Sequence, residues 1–176
     1  MAPESYRPPL KADTEKERTY TQSSDTNLSH GTQFIRVSQI LEEKGNKVHQ
    51  VAPGDTLQHA IEQLREHKIG AILVVDGGKM VGILSERDVV SELAERGAEG
   101  LSTPVSQVMT AEPKTCAPSD PLLKVIKQMS DGGFRHMPVT DIGKNLIGLV
   151  SIRDVVAFRL REIEYEALKM KQMIIG

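Results

Sequence analysis

GILSERDVV, from Gly82 to Val90, returns as GLVSIRDVV from Gly148 to Val156. Glycine, serine, arginine, aspartate and two valines keep their places 66 residues apart. A stretch kept this closely within one chain points to duplication of a whole folding unit. The surrounding sequence agrees: VSQ at Val37 recurs at Val105, and APGDTL from Ala52 is echoed by APSDPL from Ala117. LLKVIKQM from Leu122 repeats an amphipathic helix, and FRHMPVTD and NLIGLV repeat two strands.

Each unit reads strand, helix, strand, strand, helix. VSQILEEKG predicts a short helix ending at Gly45, and KVHQVAP a strand up to Pro53. Leu57, Ala60, Ile61 and Leu64 fall at i, i+3, i+4 and i+7 of a helix whose expected N-cap is Asp55. AILVVD is apolar on consecutive residues, which suits a strand covered on both faces. DGGK from Asp76 makes the turn into MVGIL, and Ser85 opens the next helix. In the second unit Asp120 repeats the capping role, with Pro121 expected at the first helical position. After Asp154 a run of good helix formers predicts one long C-terminal helix. Val155, Phe158, Ile163, Leu168 and Met173 give it an irregular apolar surface. That surface either covers its own core or meets a partner chain as well. The expected divisions are a flexible arm over 1–33, repeats over 34–97 and 98–156, and the C-terminal helix over 157–176.

The chain has 176 residues, 39% apolar and only 3% aromatic without tryptophan, so its core must rest on Val, Ile, Leu, Met and Ala. The net charge of −2 lacks the basic excess that favours nucleic acid as a partner. Cys116 is the only cysteine, which removes an intrachain disulfide and a cysteine-rich zinc site; it reads as a buried or half-buried strand residue. The first residues carry no apolar signal segment, and no run approaches the roughly 20 apolar residues of a membrane span. The expected location is cytoplasmic, with no membrane partner. One unit of about 60 residues buries only a modest core. Two can pack sheet against sheet across a pseudo-twofold axis, which leaves two related clefts at the seam.

Two β-α-β-β-α repeats, each closing on Gly-h-h-Ser-x-Arg-Asp-Val-Val, resemble a tandem CBS-domain pair, or Bateman module, of the stand-alone bacterial type. The likeness covers about Val37 to Val156. It implies an α/β (α+β) fold with adenosine-type ligands in the clefts: AMP first, with ADP, ATP, NAD(H) or S-adenosylmethionine as alternatives, and no metal required. It also implies a homodimer through stacked CBS pairs and a regulated partner protein.

The repeated stretch carries the chemistry such a ligand needs. One carboxylate, Asp88 or Asp154, accepts hydrogen bonds from both ribose hydroxyls, and charge-assisted bonds are the stronger kind. Ser85 and Ser151 stand at strand-to-helix junctions, where helix N–H groups favour phosphate. Arg87 and Arg153 supply charge. Gly82 and Gly148, inside strands, permit close backbone approach. The same Ser-x-x-Asp is also a capping box, and both roles hold together. Arg135 and His136 lie on the second repeat's strand, where the resemblance implies phosphate contact; Arg suits it bidentately, and His adds charge only when protonated. The alternatives are an ion pair for Arg135 and a satisfied polar role for His136. The resemblance also implies that the Asp154 cleft takes its base-binding wall from Val48, Ile69 and Gly70, two of which equally suit ordinary core. Because Gly70 and Ala71 replace Arg135 and His136 in the first repeat, the clefts should differ, with Asp154 the stronger ligand. No P-loop, G-x-G-x-x-G, H-E-x-x-H or nucleophile–base pair is present. The expected function is therefore non-catalytic sensing of energy or redox state through adenine nucleotides. The alternatives are a dimerisation or interaction module without a physiological nucleotide and, more remotely, an enzyme acting on a nucleotide.

Overall fold

The computed structural model describes residues 35–175; the arm read for 1–33 lies outside the described residues. The first unit runs α1 (Val37–Lys44), β1 (Gln50–Val51), α2 (Leu57–His67), β2 (Ala71–Asp76), β3 (Lys79–Ser85) and α3 (Glu86–Arg96). A 3-10 turn over Gly97–Ser102 and α4 (Val105–Val108) lead to β4 (Thr110–Ala111), α5 (Leu122–Gly132), β5 (His136–Thr140), β6 (Leu146–Ser151) and α6 (Ile152–Ile175). The mixed helix-and-strand, duplicated architecture is the one the repeat demands.

One sheet has the order β1-β2-β3-β4, and β5 pairs with β6 in another. The strand β1 runs parallel to β2; its counterpart in the second unit shrinks to one parallel bridge between Cys116 and Val139. Extending that bridge would require N–H donors at Pro138 on one side and Pro118 on the other, and proline has none. Strand β2 is covered on both faces, as its continuous apolar run requires. Ile72 and Val74 join the helices in one core, while Ala71 and Leu73 meet Leu146 and Leu149 of the second unit in the layer between the sheets.

The opening helix of each unit packs on the other unit. Val37 and Ile40 of α1 belong to the core of Leu122, Val139 and Val150; Val105 of α4 belongs to that of Leu57 and Leu84. Backbone bonds repeat the exchange. Leu122 N–H donates to the Ile35 carbonyl at 2.9 Å, and Leu57 N–H to that of Thr103 at 2.9 Å. The repeated glycines serve this exchange. A Cβ on Gly148 would lie 2.7 Å from Leu41 Cδ2, and one on Gly82 would strike Met109 and come within 3.0 Å of the Thr110 carbonyl. Close approach at these strand glycines is thus by the exchanged segments.

Asp55 and Asp120 sit one residue outside the caps predicted for them. Each closes the preceding turn: Asp55 Oδ2 accepts from Ala52 N–H at 2.7 Å, and Asp120 Oδ2 from Ala117 N–H at 2.9 Å. Thr56 caps α2 by accepting from His59 N–H at 3.3 Å. Pro121 holds the cap position of α5 in an extended conformation rather than the first helical position. Cys116 is buried, and burial pushes its thiol up to about 12. Helix α6 is continuous: Val155 and Phe158 join the second core, and every residue from Ile163 to Ile174 is exposed.

Candidate functional site

The strand-to-helix junctions of the repeated stretch are built alike. Ser85 is extended (φ −111°, ψ 162°) and caps α3. Its Oγ accepts from Asp88 N–H at 3.4 Å, while Asp88 Oδ2 accepts from Ser85 N–H at 2.8 Å and from Ser85 Oγ–H at 2.6 Å. Ser151 and Asp154 repeat the box at 3.2, 2.8 and 2.8 Å. Both Ser-x-x-Asp pairs are therefore capping boxes. In Asp88 the box uses Oδ2 alone, and Oδ1 accepts no bond among the described residues.

A cleft of about 460 Å³ opens between the units at Asp88, within the range of about 300–1,000 Å³ usual for small-ligand sites. Ser85, Glu86, Arg87 and Asp88 form one side, and Phe134, Arg135 and His136 of the second unit form the other. Ile83, Pro113 and Phe134 supply apolar surface; Arg135 and Lys114 supply cations, set against Glu86 and Glu112. Lys114 Nζ lies 5.9 Å from the centre of the Phe134 ring. Arg87 Nη1 donates to the Gly133 carbonyl at 2.8 Å, so its guanidinium ties the two units across the cleft. Gly70 leaves room for His136: a Cβ there would lie 3.3 Å from His136 Cε1 and 3.4 Å from Glu86 Oε2. Burial first, and the Lys44 ammonium second, hold the His136 imidazole below its usual range against the pull of Asp154 and Glu86. It is neutral at pH 7 and gives the cleft a polar edge rather than a charge.

The second junction differs. Lys44 Nζ lies 2.6 Å from Asp154 Oδ2 and donates to the Leu149 carbonyl at 2.9 Å. Burial raises the Asp154 carboxyl, but Lys44 and the bonds from Ser151 together outweigh it and hold the group below its ordinary value. Arg153 is exposed. Val48 packs in the layer between the sheets and Ile69 on the core of the first unit; neither lines the cleft at Asp88.

Of the residues singled out from sequence, the structure thus brings Gly70, Ser85, Arg87, Asp88, Arg135 and His136 together in one cleft. Arg135 and His136, expected beside Asp154, line the cleft of Asp88, and His136 also pairs with Ser151 and feels Lys44 and Asp154. Phe134, Pro113, Lys114 and Glu86 were not singled out. The repeat held the signal: the 65-residue offset that aligns Ala52 with Ala117 carries Val48, Ile69 and Gly70 onto Pro113, Phe134 and Arg135. Among the described residues no cluster of three metal-ligating side chains occurs, and no helix is long and apolar enough to cross a membrane.

A model of the CBS domain matches residues 37–95 and 105–161. The chain is similar to the CBS domain-containing protein CBSX3, mitochondrial, of Arabidopsis thaliana, with 31% identity over 155 residues, 83% of this chain and 75% of that one. A CBS-domain containing protein from Agrobacterium tumefaciens has 38% identity and a TM-score of 0.69, over 71% of this chain and 99% of its own. CBSX2, solved in complex with AMP, has 27% identity and a TM-score of 0.57, over 66% of this chain and 90% of its own.

Proposed function

We propose a function from one premise: the chain belongs to the CBS-domain family, as a tandem pair. It is a non-catalytic regulatory module that takes an adenine nucleotide, AMP first, in the cleft at Asp88. One observation carries this reading. A carboxylate with an unused oxygen, an apolar wall and two cations besides the tied Arg87 line the same cleft. AMP has three parts to match. The purine lies on Phe134, Pro113 and Ile83, the ribose diol donates to Asp88, and the phosphate meets Arg135 and Lys114. The AMP complex of CBSX2 supports this choice of ligand. Competition among AMP, ADP, ATP, NAD(H) and S-adenosylmethionine for the cleft makes the module a sensor of energy or redox state. Arg87 ties the units together at the cleft rim, so a ligand that favours one angle between them shifts the population toward it. Stacking into a homodimer, a regulated partner and a cytoplasmic setting belong to the same proposal.

A second reading, a dimerisation or interaction module without a nucleotide, draws on the capping boxes and on Lys44. Both serine–aspartate pairs already have a structural role, and one of the two carboxylates is neutralised from within. Ligand-dependent melting separates the two readings. A nucleotide at 100 times its Kd adds about 2.7 kcal/mol. A shift with any of the five compounds supports the sensor; no shift with any of them overturns it.

A further inference from the structure

Helix α6 outruns its own unit. From Ile163 to Ile174 each residue is exposed, and an isolated helix shorter than about 12–15 residues is marginal in water. This half of α6 is short of packing, and its apolar residues are spaced to supply it. Val156, Leu160, Ile163, Ala167, Met170 and Ile174 follow one another by alternating steps of four and three residues, six layers of a heptad seam. The five large ones are exposed by 47% at Ile163 up to 84% at Ile174. The stripe is irregular because Val155 and Phe158 turn to the chain's own core, the seam turns away, and Leu168 and Met173 lie exposed outside both. Outside the seam the helix is mixed: Arg161, Glu162 and Lys169 stand among the exposed Tyr165, Leu168 and Met173, with Lys169 Nζ 4.4 Å from the centre of the Tyr165 ring. At the root of the seam, Ile126, Ile152, Val156 and Leu160 line an apolar groove of about 190 Å³ that continues the stripe onto the body.

The residues beside the seam choose its occupant. With Leu160 and Ala167 at a, Arg159 and Glu166 fall at g, and Glu164 and Lys171 at e. In a parallel, in-register pair each g residue faces the e residue five places on in the other helix. Arg159 then meets Glu164 and Glu166 meets Lys171, opposite charges both times. An antiparallel pair overlapping along the full seam would set Glu164 against Glu164 and Glu166 against Glu166. Within one chain Arg159 folds back on the body: its Nη1 is buried without a hydrogen bond among the described residues and lies 4.0 Å from Glu166 Oε1, so pairing with a second helix asks it to swing outward. We propose that the seam of α6 is an interface for a second copy of this chain, paired through it as a parallel, in-register coiled coil.

Disulfide trapping in the full chain tests this apart from any contact between the bodies. Cys116 is buried with its thiol pushed up to about 12, so it does not compete. Met170→Cys, in the seam, should form a covalent dimer under copper–phenanthroline; Gln172→Cys, on the outer face, should not. In the Met170→Cys background, Glu166→Lys and Lys171→Glu should each slow trapping severalfold, and an equimolar mixture of the two should recover the parent rate. Equal trapping at 170 and 172, no trapping at 170, or a mixture as slow as its components would overturn the proposal.

Discussion

Lys44 Nζ lies 2.6 Å from Asp154 Oδ2, whereas Asp88, at the equivalent place in the first repeat, has no cation within 4 Å among the described residues. Two junctions that are nearly identical in sequence are therefore unequal in charge. Arg135 and His136, which the sequence sets beside Asp154, line the cleft of Asp88, so the proposed function puts the stronger site there.

The Lys44–Asp154 pair has a pH signature. Its carboxyl is held below its ordinary value of 3.8, so its contribution is present above that value and is lost as pH falls through the depressed one. Lys44→Met should lower stability at pH 7 by no more than about 1 kcal/mol, the scale of a partly exposed pair. In urea titrations the gap between parent and variant should close below about pH 4. A gap that stays constant to pH 2.5 would show that Lys44 acts through packing alone.

His136 gives the complementary window. Its imidazole is held below 6.5, so the unfolded chain takes up the proton first and stability falls as pH drops below about 6.5. His49 is lowered as well, so the parent should lose stability through this window and His136→Gln should lose less. Parallel pH profiles for the two would contradict the burial argument.

The repeated glycines are expected to be intolerant. Gly148→Ala places a methyl group 2.7 Å from Leu41 Cδ2, and overpacking of this kind costs about 1–3 kcal/mol. Pairing it with Leu41→Ala should recover part of the loss in a double-mutant cycle. Additive losses would mean that the exchanged helix does not press on this strand.

Ser85→Ala and Ser151→Ala each remove a cap and should cost about 0.5–2 kcal/mol in thermal unfolding. Retained stability in both variants would show that the aspartate bonds to backbone alone hold the junctions.

Strands and helices were legible because duplication states each signal twice: the continuous apolar run of β2 and the 3.6-residue period of α2 left little choice. The exchange of opening helices was not. The spacing of Val37, Ile40 and Leu41 shows which face is apolar, but not which unit that face joins. The caps shifted by one residue because an Asp carboxylate serves a turn as readily as a helix end, and the backbone bond from Leu57 to Thr103 decides between them. Arg135 precedes β5 and His136 opens it between the two aspartates, and only the packing of sheet on sheet says which cleft they enter. Nothing in the spacing announces Lys44, whose long side chain crosses to a residue 110 positions away.

The central claim is that an adenine nucleotide occupies the cleft at Asp88. Calorimetric titration of AMP into the parent, Asp88→Asn and Asp154→Asn tests it most directly, since asparagine retains a capping oxygen and loses only the charge. A hydrogen bond to a charged group is worth about 1.5–3 kcal/mol, so Asp88→Asn should weaken binding about 10- to 150-fold. Asp154→Asn should leave the affinity within about twofold. Loss of AMP binding in Asp154→Asn with Asp88→Asn unaffected, or no binding to the parent, would contradict the account.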